Sequence, residues 1–289
     1  MTDNADPVDA LLNVLDLRDA GARTSEDIFT AVSQPMPTGR IYGGQVLAQA
    51  LIAASRTMPD DRRAHSMHGY FLRPGDASQP VTFGVDRIHD GRSFSTRRTQ
   101  GYQSGVPIFS AIASFQTSDP GLDHQEPMPD VAPPGDLPDP AAGPAAQHPM
   151  TRRLLAERPV DIRWDPSPIY FDVERPAPRQ AVWMRARRRL PDDPLLHRAV
   201  LAYLSDLTIQ ESILRAHGVA WSRPGLKVAS LDHAMWWHRD ARVDDWLLYV
   251  QESPSARGGR GLATGRIYTR EGVLAASVAQ EITVRVPQD

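Results

Sequence analysis

The chain contains stretches with the apolar periodicity of a helix and stretches in which apolar and polar residues alternate, as in a strand. Asp6 and Pro7 are suited to begin a short amphipathic helix. The alanine-rich run 43–54 follows a glycine pair and predicts a buried helix. Strand-like runs come next, at residues 67–72, 81–89, 93–103 and 106–116, with a tight turn at 104–105. A helix followed by successive antiparallel strands is an α+β pattern.

The composition changes abruptly after Gln116. About half of the 26 prolines lie between residues 119 and 179, mixed with alanine, aspartate and glycine. Such a composition is typical of a linker that lies over the surface. We therefore divide the chain into an N-terminal domain at residues 1–118, a proline-rich linker at residues 119–158 and a C-terminal domain at residues 159–289.

The second half repeats the plan of the first. Residues 195–216 predict one long apolar helix that Gly218 can terminate. Strand-like runs follow again, at residues 228–237, 246–253, 261–269 and 273–286. Aligning the two halves places His233 opposite His68. The chain is therefore interpreted as an internal duplication of a helix-plus-antiparallel-sheet unit.

Polar residues that occur in only one copy are the first candidates for chemistry. The self-alignment sets Asp206 against Ile52, Ser230 against His65 and Gln280 against Phe115. Burial of Asp206 on an apolar helix face would be costly without partners, which suggests function, but a solvated stripe or a frayed helix end explains it equally well. Gln280 lies in a small, apolar strand and faces either inward with partners or outward at an edge. Ser230 begins a strand, where a lone serine is usually structural.

Composition and charge narrow the chemistry. Without cysteine the chain can form no disulfide, no thiolate zinc site and no cysteine nucleophile, so its chemistry rests on oxygen and imidazole groups. A formal net charge of -3 gives no reason to expect a nucleic-acid partner. Charged residues interrupt every long apolar run, and the acidic N-terminus differs from a secretory signal. We therefore expect a cytoplasmic protein with no membrane partner.

Several familiar catalytic and cofactor motifs do not occur in the sequence. The chain has no Gly-x-Ser-x-Gly elbow, which argues against the serine nucleophile of an α/β-hydrolase. The glycine-rich run 259–265 narrowly misses a dinucleotide fingerprint and opens a strand. His65 and His68 point to opposite faces of a predicted strand, while His233 and His238 have no carboxylate cluster at ligand spacing. The sequence predicts no metal and no cofactor.

Short strings along nearly the whole chain carry a family resemblance. They are YGGQV at 42–46, HSMHGYFLRPGD at 65–76, DGRSFSTRR at 90–98, ASFQ at 113–116, LDHAMWWH at 231–238 and DWLLY at 245–249. With these strings the chain resembles the acyl-CoA thioesterase II (TesB-like) family. The resemblance implies an α+β double hotdog fold, in which each of two tandem units wraps an antiparallel sheet around a long helix and the two sheets join side by side.

The resemblance also implies hydrolysis of fatty acyl-CoA. By motif position, Asp206, Ser230 and Gln280 would hold a water that attacks the thioester carbon directly, without an acyl-enzyme. Threonine is common in the family at the Ser230 position, and serine keeps the hydroxyl. Backbone N–H groups of Gly43 and Gly44 are candidate donors to the developing oxyanion, although the pair would equally serve as a turn into the helix.

Other residues are weaker candidates. His65 is interpreted either as a neighbour of the site or as a hydrogen-bonded core histidine. Coenzyme A carries phosphates, and Arg97, Arg98 and Arg185 are the candidates for binding them. Because Lys227 is the only lysine among 32 basic residues, arginine is abundant everywhere in this chain. A solvated surface charge is therefore the alternative for each of these arginines.

The expected partner is an acyl-CoA substrate, and because hotdog proteins often associate we also expect a homo-oligomer. Two other functions stay open at this point. One is a non-catalytic acyl-CoA-binding or sensing protein, since a fold alone does not fix a function. The other is an enoyl-CoA hydratase, which normally needs an Asp/His pair. Retention of three polar positions in the second half argues against the first alternative.

Overall fold

The computed structural model describes residues 6–21 and 25–287 and confirms the α+β class. The helices are α1 (Pro7–Leu15), α2 (Gly43–Ser55), α3 (Pro149–Glu157), α4 (Pro194–Ser205) and α5 (Glu211–Ala216), with a 3-10 helix at Pro144–Gln147. The strands are β1 (Arg18–Asp19), β2 (Asp27–Ala31), β3 (Arg62–Phe71), β4 (Val81–Asp90), β5 (Phe94–Gln103), β6 (Val106–Thr117), β7 (Val160–Asp165), β8 (Arg179–Ala186), β9 (Lys227–Ser230), β10 (Asp232–Trp237), β11 (Leu247–Arg257), β12 (Arg260–Thr269) and β13 (Leu274–Arg285). Asp6 caps α1 as predicted, because its carboxylate accepts the N–H of Val8 at 2.8 Å.

The strands of the described residues form one antiparallel sheet. Its order is β1-β2-β4-β5-β6-β3-β10-β13-β12-β11-β8-β7, and β9 pairs with β13 outside this path. In this sheet order, the first half of the chain supplies the strands from β1 to β3, and the second half supplies those from β10 to β7. The two halves meet where β3 and β10 pair, with Met67 opposite Met235. The sheets of the two copies are thus joined side by side, as the resemblance implies.

Helix α2 lies at the centre of the core. Every residue from Gly44 to Ala54 is buried, because the sheet covers one side of the helix and α4 packs against another. The hydroxyl of Tyr42, at the start of α2, donates to the backbone oxygen of Tyr203 in α4 at 2.7 Å. The close packing of α2 and α4 brings the start of one helix against the end of the other.

Matching β-bulges show how the two copies correspond. In the first copy, the ladder shifts register just after the pair Gly101 and Phe109. In the second copy, the ladder shifts just after the pair Ile267 and Ala276. Phe109 and Ala276 are therefore equivalent residues, and every other position on β6 and β13 can be matched from them.

This correspondence corrects the self-alignment made from sequence. The residues equivalent to Gln280 and Ser230 are Ala113 and Ala64, respectively. Phe115 and His65, the counterparts expected from sequence, are slightly out of register because bulges in the strands shift the pairing. The conclusion that polar residues occupy the second copy alone becomes stronger, since both counterparts are alanine.

The long helix predicted at residues 195–216 is wrong. Helix α4 ends at Ser205, Asp206 is its C-terminal cap, and a turn at residues 206–210 precedes α5. Buried side chains of other elements donate hydrogen bonds to polar groups of this turn. Gln251 Nε2 donates to Thr208 Oγ1 at 2.6 Å, and Gln180 Nε2 donates to the Thr208 carbonyl at 3.3 Å. Such long-range partners are not visible in local periodicity.

The single strand predicted at residues 228–237 is also wrong. It is divided at Leu231 into β9 and β10. The N–H of Leu231 donates to the Glu281 carbonyl at 2.9 Å, and its own carbonyl accepts the N–H of Phe71 at 2.9 Å. Ser230 therefore ends a short strand, instead of beginning one.

The proline-rich segment is more structured than a linker. Residues 119–158 contain the 3-10 helix and α3, and the indole nitrogen of Trp183 donates to the Ala132 carbonyl at 2.9 Å. Met128, Val131 and Leu137 pack against a buried cluster on the second-half sheet. Strands β1, β2, β7 and β8 were not predicted; β7 and β8 follow this segment, where prolines stay frequent up to residue 178. The division into domains stays a prediction. Within the described residues, no helix is long and apolar enough to cross a membrane.

Candidate active site

The structure brings together the three polar residues that the sequence singles out. Gln280 Nε2 donates to Asp206 Oδ1 at 2.8 Å and to Ser230 Oγ at 2.7 Å. The N–H of Gly44 donates to Asp206 Oδ2 at 2.8 Å. The three side chains come from the end of α4, the end of β9 and the middle of β13, and they meet at the start of α2.

Two glycines let the carboxylate approach α2. A Cβ atom on Gly43 would lie 2.8 Å from Asp206 Oδ2, and one on Gly44 would lie 2.4 Å from the Tyr203 carbonyl. Because Gly44 already donates its N–H to Asp206, it is not free to bind an oxyanion. This removes Gly44 from the predicted pair of oxyanion donors. The N–H of Gly43 has no acceptor among the described residues and stays available.

Asp206 is a buried carboxylate with an unusual proton affinity. It is 3% exposed, and burial raises its pKa from 3.8 to about 6, because water no longer solvates the charge. Hydrogen bonds from Gln280, Gly44 and Ser230 favour the ionised form and limit the rise. A carboxylate with this pKa is ionised at neutral pH and can accept a proton from water, as a general base must.

His233 belongs to the same cluster and was not predicted as a site residue. Its Nδ1 lies 2.7 Å from Gln280 Oε1, and its Nε2 lies 2.9 Å from Ser205 Oγ. Burial lowers its pKa to about 4, so the ring is neutral at physiological pH. The alternation of β10 was a usable signal, because it places His233, Met235 and Trp237 on the buried face.

The structure does not bring His65 into this cluster. Its Nε2 lies 2.9 Å from Ser114 Oγ, and its ring packs edge-on against Phe94. His65 also lines a surface cavity of about 740 Å³, with Arg198 and Trp237 among its other walls. Asp206, Ser230 and Gln280 do not line that cavity. The contacts of His65 are those of the alternative reading, a hydrogen-bonded histidine of the sheet.

The three arginines proposed for phosphate binding are engaged elsewhere. Arg97 is 1% exposed, and its guanidinium donates to Thr57 and to Asp90 at 2.8 Å, so it is a core residue that cannot reach a phosphate in solution. Arg98 pairs with Asp86 on β4. Arg185 pairs with Asp161 and lies over the ring of Trp246. Arg97 is therefore not accessible to a phosphate, whereas Arg98 and Arg185 are partly exposed charges that already have acidic partners, and their role in phosphate binding stays a prediction.

Another arginine acts on tyrosines that neighbour the cluster. Arg158 follows α3 and donates from Nη1 to the Tyr170 hydroxyl at 3.0 Å. Its positive charge acts on the buried hydroxyls of Tyr42 and Tyr203, and it opposes the rise in pKa that burial causes in both. The same two tyrosines also feel the charge of Asp206, so Arg158 and Asp206 act on a common pair of buried hydroxyls.

Comparison with known proteins assigns the chain to a family. A family model described as acyl-CoA thioesterase matches residues 152–283, and one described as acyl-CoA thioesterase N-terminal domain matches residues 32–116. Human acyl-coenzyme A thioesterase 8 is 39% identical over 275 residues, covering 90% of this chain and 85% of its own length. The chain belongs to the acyl-CoA thioesterase family. Members of this family are thioester hydrolases.

Further relatives confirm the type of thioesterase and the fold. Acyl-CoA thioesterase 2 of Haemophilus influenzae is 35% identical and covers 89% of this chain and 92% of its own. An acyl-CoA thioesterase II from Mycobacterium marinum, TesB2, has 43% identity and a TM-score of 0.80, with coverage of 96% and 99%. A hot dog protein from Alicyclobacillus acidocaldarius, 21% identical, has a TM-score of 0.78 over 96% of this chain and 99% of its own. The TesB-like assignment and the double hotdog fold are confirmed.

Proposed function

We propose that this thioesterase hydrolyses fatty acyl-CoA to a free fatty acid and coenzyme A by direct attack of a water on the thioester. The observation that supports the proposal is the cluster of Asp206, Ser230 and Gln280. A buried base, a hydroxyl and an amide share hydrogen bonds there of 2.7 to 2.8 Å. Such a cluster can bind one water and aim it, which is the largest requirement for hydrolysis of an already activated ester.

The proposed reaction begins with a water hydrogen-bonded to Asp206 and to Ser230. The water oxygen forms a bond to the thioester carbon while Asp206 takes one of its protons. The tetrahedral intermediate then expels the thiolate of coenzyme A, and the carbon–sulfur bond breaks. The proton held by Asp206 passes to the departing sulfur, so that the products are a carboxylic acid and a thiol and the enzyme is regenerated.

The oxyanion of the intermediate needs a donor close to the attacked carbon. Gly43 supplies a free backbone N–H at the first turn of α2, where the helix dipole favours negative charge. Its missing side chain leaves room there, since a Cβ would crowd both Asp206 and Phe71. Gly43 is therefore the proposed oxyanion donor, and Arg158 is the proposed contact for a phosphate of coenzyme A.

The hydratase alternative is less well supported by this geometry. A hydratase needs an Asp/His pair that faces the substrate. The only histidine in contact with the cluster within the described residues is His233, and both of its ring nitrogens are occupied by Gln280 and Ser205. It therefore lies behind the amide and away from the water that the cluster would hold.

The test is the release of free thiol from acyl-CoA by Asp206→Ala, compared with the wild type and with Asp86→Ala. Asp86 is a matched control because it pairs with Arg98 on another part of the sheet. Loss of a positioned base should lower kcat by about a hundredfold or more, with Asp86→Ala unchanged. Wild-type turnover by Asp206→Ala would contradict the proposal. If the wild type binds acyl-CoA without releasing thiol, the sensing alternative is supported. If it hydrates an enoyl-CoA, the hydratase alternative is supported.

A further inference from the structure

We infer that His233 is a positioning residue that fixes the orientation of the Gln280 amide. The inference rests on the proposed function, because it assigns a role within the same cluster. His233 is 1% exposed and touches the amide on the side opposite Asp206 and Ser230. It therefore acts through Gln280 and does not itself meet the substrate.

The hydrogens of the cluster can be assigned from the chemistry of each group. An ionised Asp206 can only accept, so Gln280 must present its NH₂ group to it. Both hydrogens of that group are then used, one by Asp206 and one by Ser230. Because Gln280 Nε2 donates to Ser230 Oγ, the hydroxyl hydrogen of Ser230 stays free for the carboxylate or the water.

The carbonyl of the amide then needs a donor of its own. Gln280 Oε1 can only accept, so Nδ1 of His233, which lies 2.7 Å from it, must be the atom that carries the hydrogen. The neutral ring consequently carries its proton on Nδ1 and accepts at Nε2. Ser205 Oγ lies 2.9 Å from that nitrogen and can supply its hydroxyl hydrogen, in competition with the Ala202 carbonyl at 2.8 Å.

An amide is nearly symmetric in shape, so packing alone does not fix which way it points. Rotation by half a turn would set Gln280 Oε1 against the Asp206 carboxylate and remove both donated hydrogen bonds. His233 opposes that rotation, because its Nδ1 hydrogen would then face an NH₂ group. Without this histidine, the carbonyl oxygen would be buried and unpaired, and the amide would lose the partner that selects the productive orientation.

The first copy of the fold supports a role confined to the site. Phe71 and Trp237 are equivalent, because they pair with the equivalent residues Phe109 and Ala276. Counting back along β3 and β10 makes Met67 the counterpart of His233, and Met67 is buried and apolar. His68, the counterpart expected from sequence, is exposed and packs edge-on against Trp236. The inner position is thus a histidine only in the copy that also carries Ser230 and Gln280.

The experiment compares two amide replacements that place the donor nitrogen at different distances from the backbone and otherwise differ by one methylene group. The side-chain nitrogen of Asn lies where Nδ1 of histidine lies, whereas that of Gln lies near Nε2. We expect His233→Asn to keep kcat within about threefold of wild type, and His233→Gln to lower kcat by about tenfold or more with KM within about twofold. His68→Gln is the matched control and should be unchanged. Thermal melting establishes that each variant is folded.

The outcomes separate this inference from the proposed function. A folded His233→Gln enzyme with kcat within about twofold of His233→Asn overturns the inference, because the donor position would not matter. If His233→Gln does not fold, the Asn variant decides alone, and a fall in kcat greater than about threefold overturns the inference. Asp206→Ala is measured in the same series. Wild-type turnover by Asp206→Ala would contradict the proposed function itself. If Asp206→Ala is inactive but the two His233 variants have equal kcat, only the positioning role of His233 is contradicted.

Discussion

Lowering the pH from 7 to 5 should slow this thioesterase in a predictable way. Asp206 must be ionised to accept a proton from water, and burial raises its pKa to about 6. About ten in eleven molecules then carry the carboxylate at pH 7 and about one in eleven at pH 5. We therefore expect kcat to fall about tenfold across this range, with a midpoint near pH 6.

The assay is the loss of thioester ultraviolet absorbance at saturating acyl-CoA, which detects the substrate at every pH used. Asp206→Ala supplies the comparison, and its residual rate should show no fall with this midpoint. A kcat that changes by less than about twofold between pH 5 and pH 7 in the wild type would refute the assignment of Asp206 as the base.

The raised pKa of Asp206 also affects the stability of the fold. Low pH, which should slow the reaction, should stabilise the folded protein at this residue. The folded-state pKa of Asp206 lies above the unfolded value, so the folded protein favours the protonated acid. This contribution is present at low pH and is lost as the pH rises from about 4 to about 6. A shift from 3.8 to about 6 corresponds to about 3 kcal/mol. Urea unfolding of wild type and Asp206→Ala at pH 4 and pH 7 should show the wild type losing up to that amount relative to the variant. A constant difference would contradict it.

Three further predictions concern packing, substrate binding and assembly. Gly44→Ala should lower the free energy of unfolding by about 1–3 kcal/mol and reduce kcat, because its Cβ would overlap the Tyr203 carbonyl; Gly121→Ala, where the space is open, should be neutral in thermal melting. Arg158→Ala should raise KM for acyl-CoA by about threefold to tenfold with kcat little changed, whereas Arg98→Ala should not; equal KM values would contradict the phosphate role. Light scattering should show a mass of two or more chains, and a monomer would contradict the expected homo-oligomer.

Local patterns in the sequence were sufficient for part of the regular structure. Apolar periodicity located α2 and strands β4, β5 and β6 closely, since each is bounded by glycine, proline or a tight turn. Ser104 and Gly105 both adopt positive φ at the predicted turn. The trio at the site came from the polar asymmetry between the copies and from the family motifs, and the structure brings those three side chains together.

Features that depend on distant partners could not be predicted. The end of α4 at Ser205 depends on Tyr249, whose hydroxyl donates to the Ser205 carbonyl at 3.0 Å, and on the glutamines that bind Thr208. A run of helix-forming residues carries no sign of these contacts. The alternation of β10 could have indicated that His233 is buried, but its contact with Gln280 could not be predicted, because Gln280 is far away in sequence and only the sheet register brings them together.

The two copies also show why the proposed site would occur in only one of them. Buried polar groups are costly unless each has a partner, so a trio of them persists only where the surrounding structure supplies every hydrogen bond. In the second copy α4 stops at Ser205, which frees Asp206 to meet the start of α2. In the first copy α2 runs on to Ser55 with no carboxylate among its residues, and Ala64 and Ala113 occupy the inner positions. Introducing a serine and a glutamine there would create unpaired polar groups without a base, because the first copy lacks a carboxylate placed as Asp206 is at the end of α4.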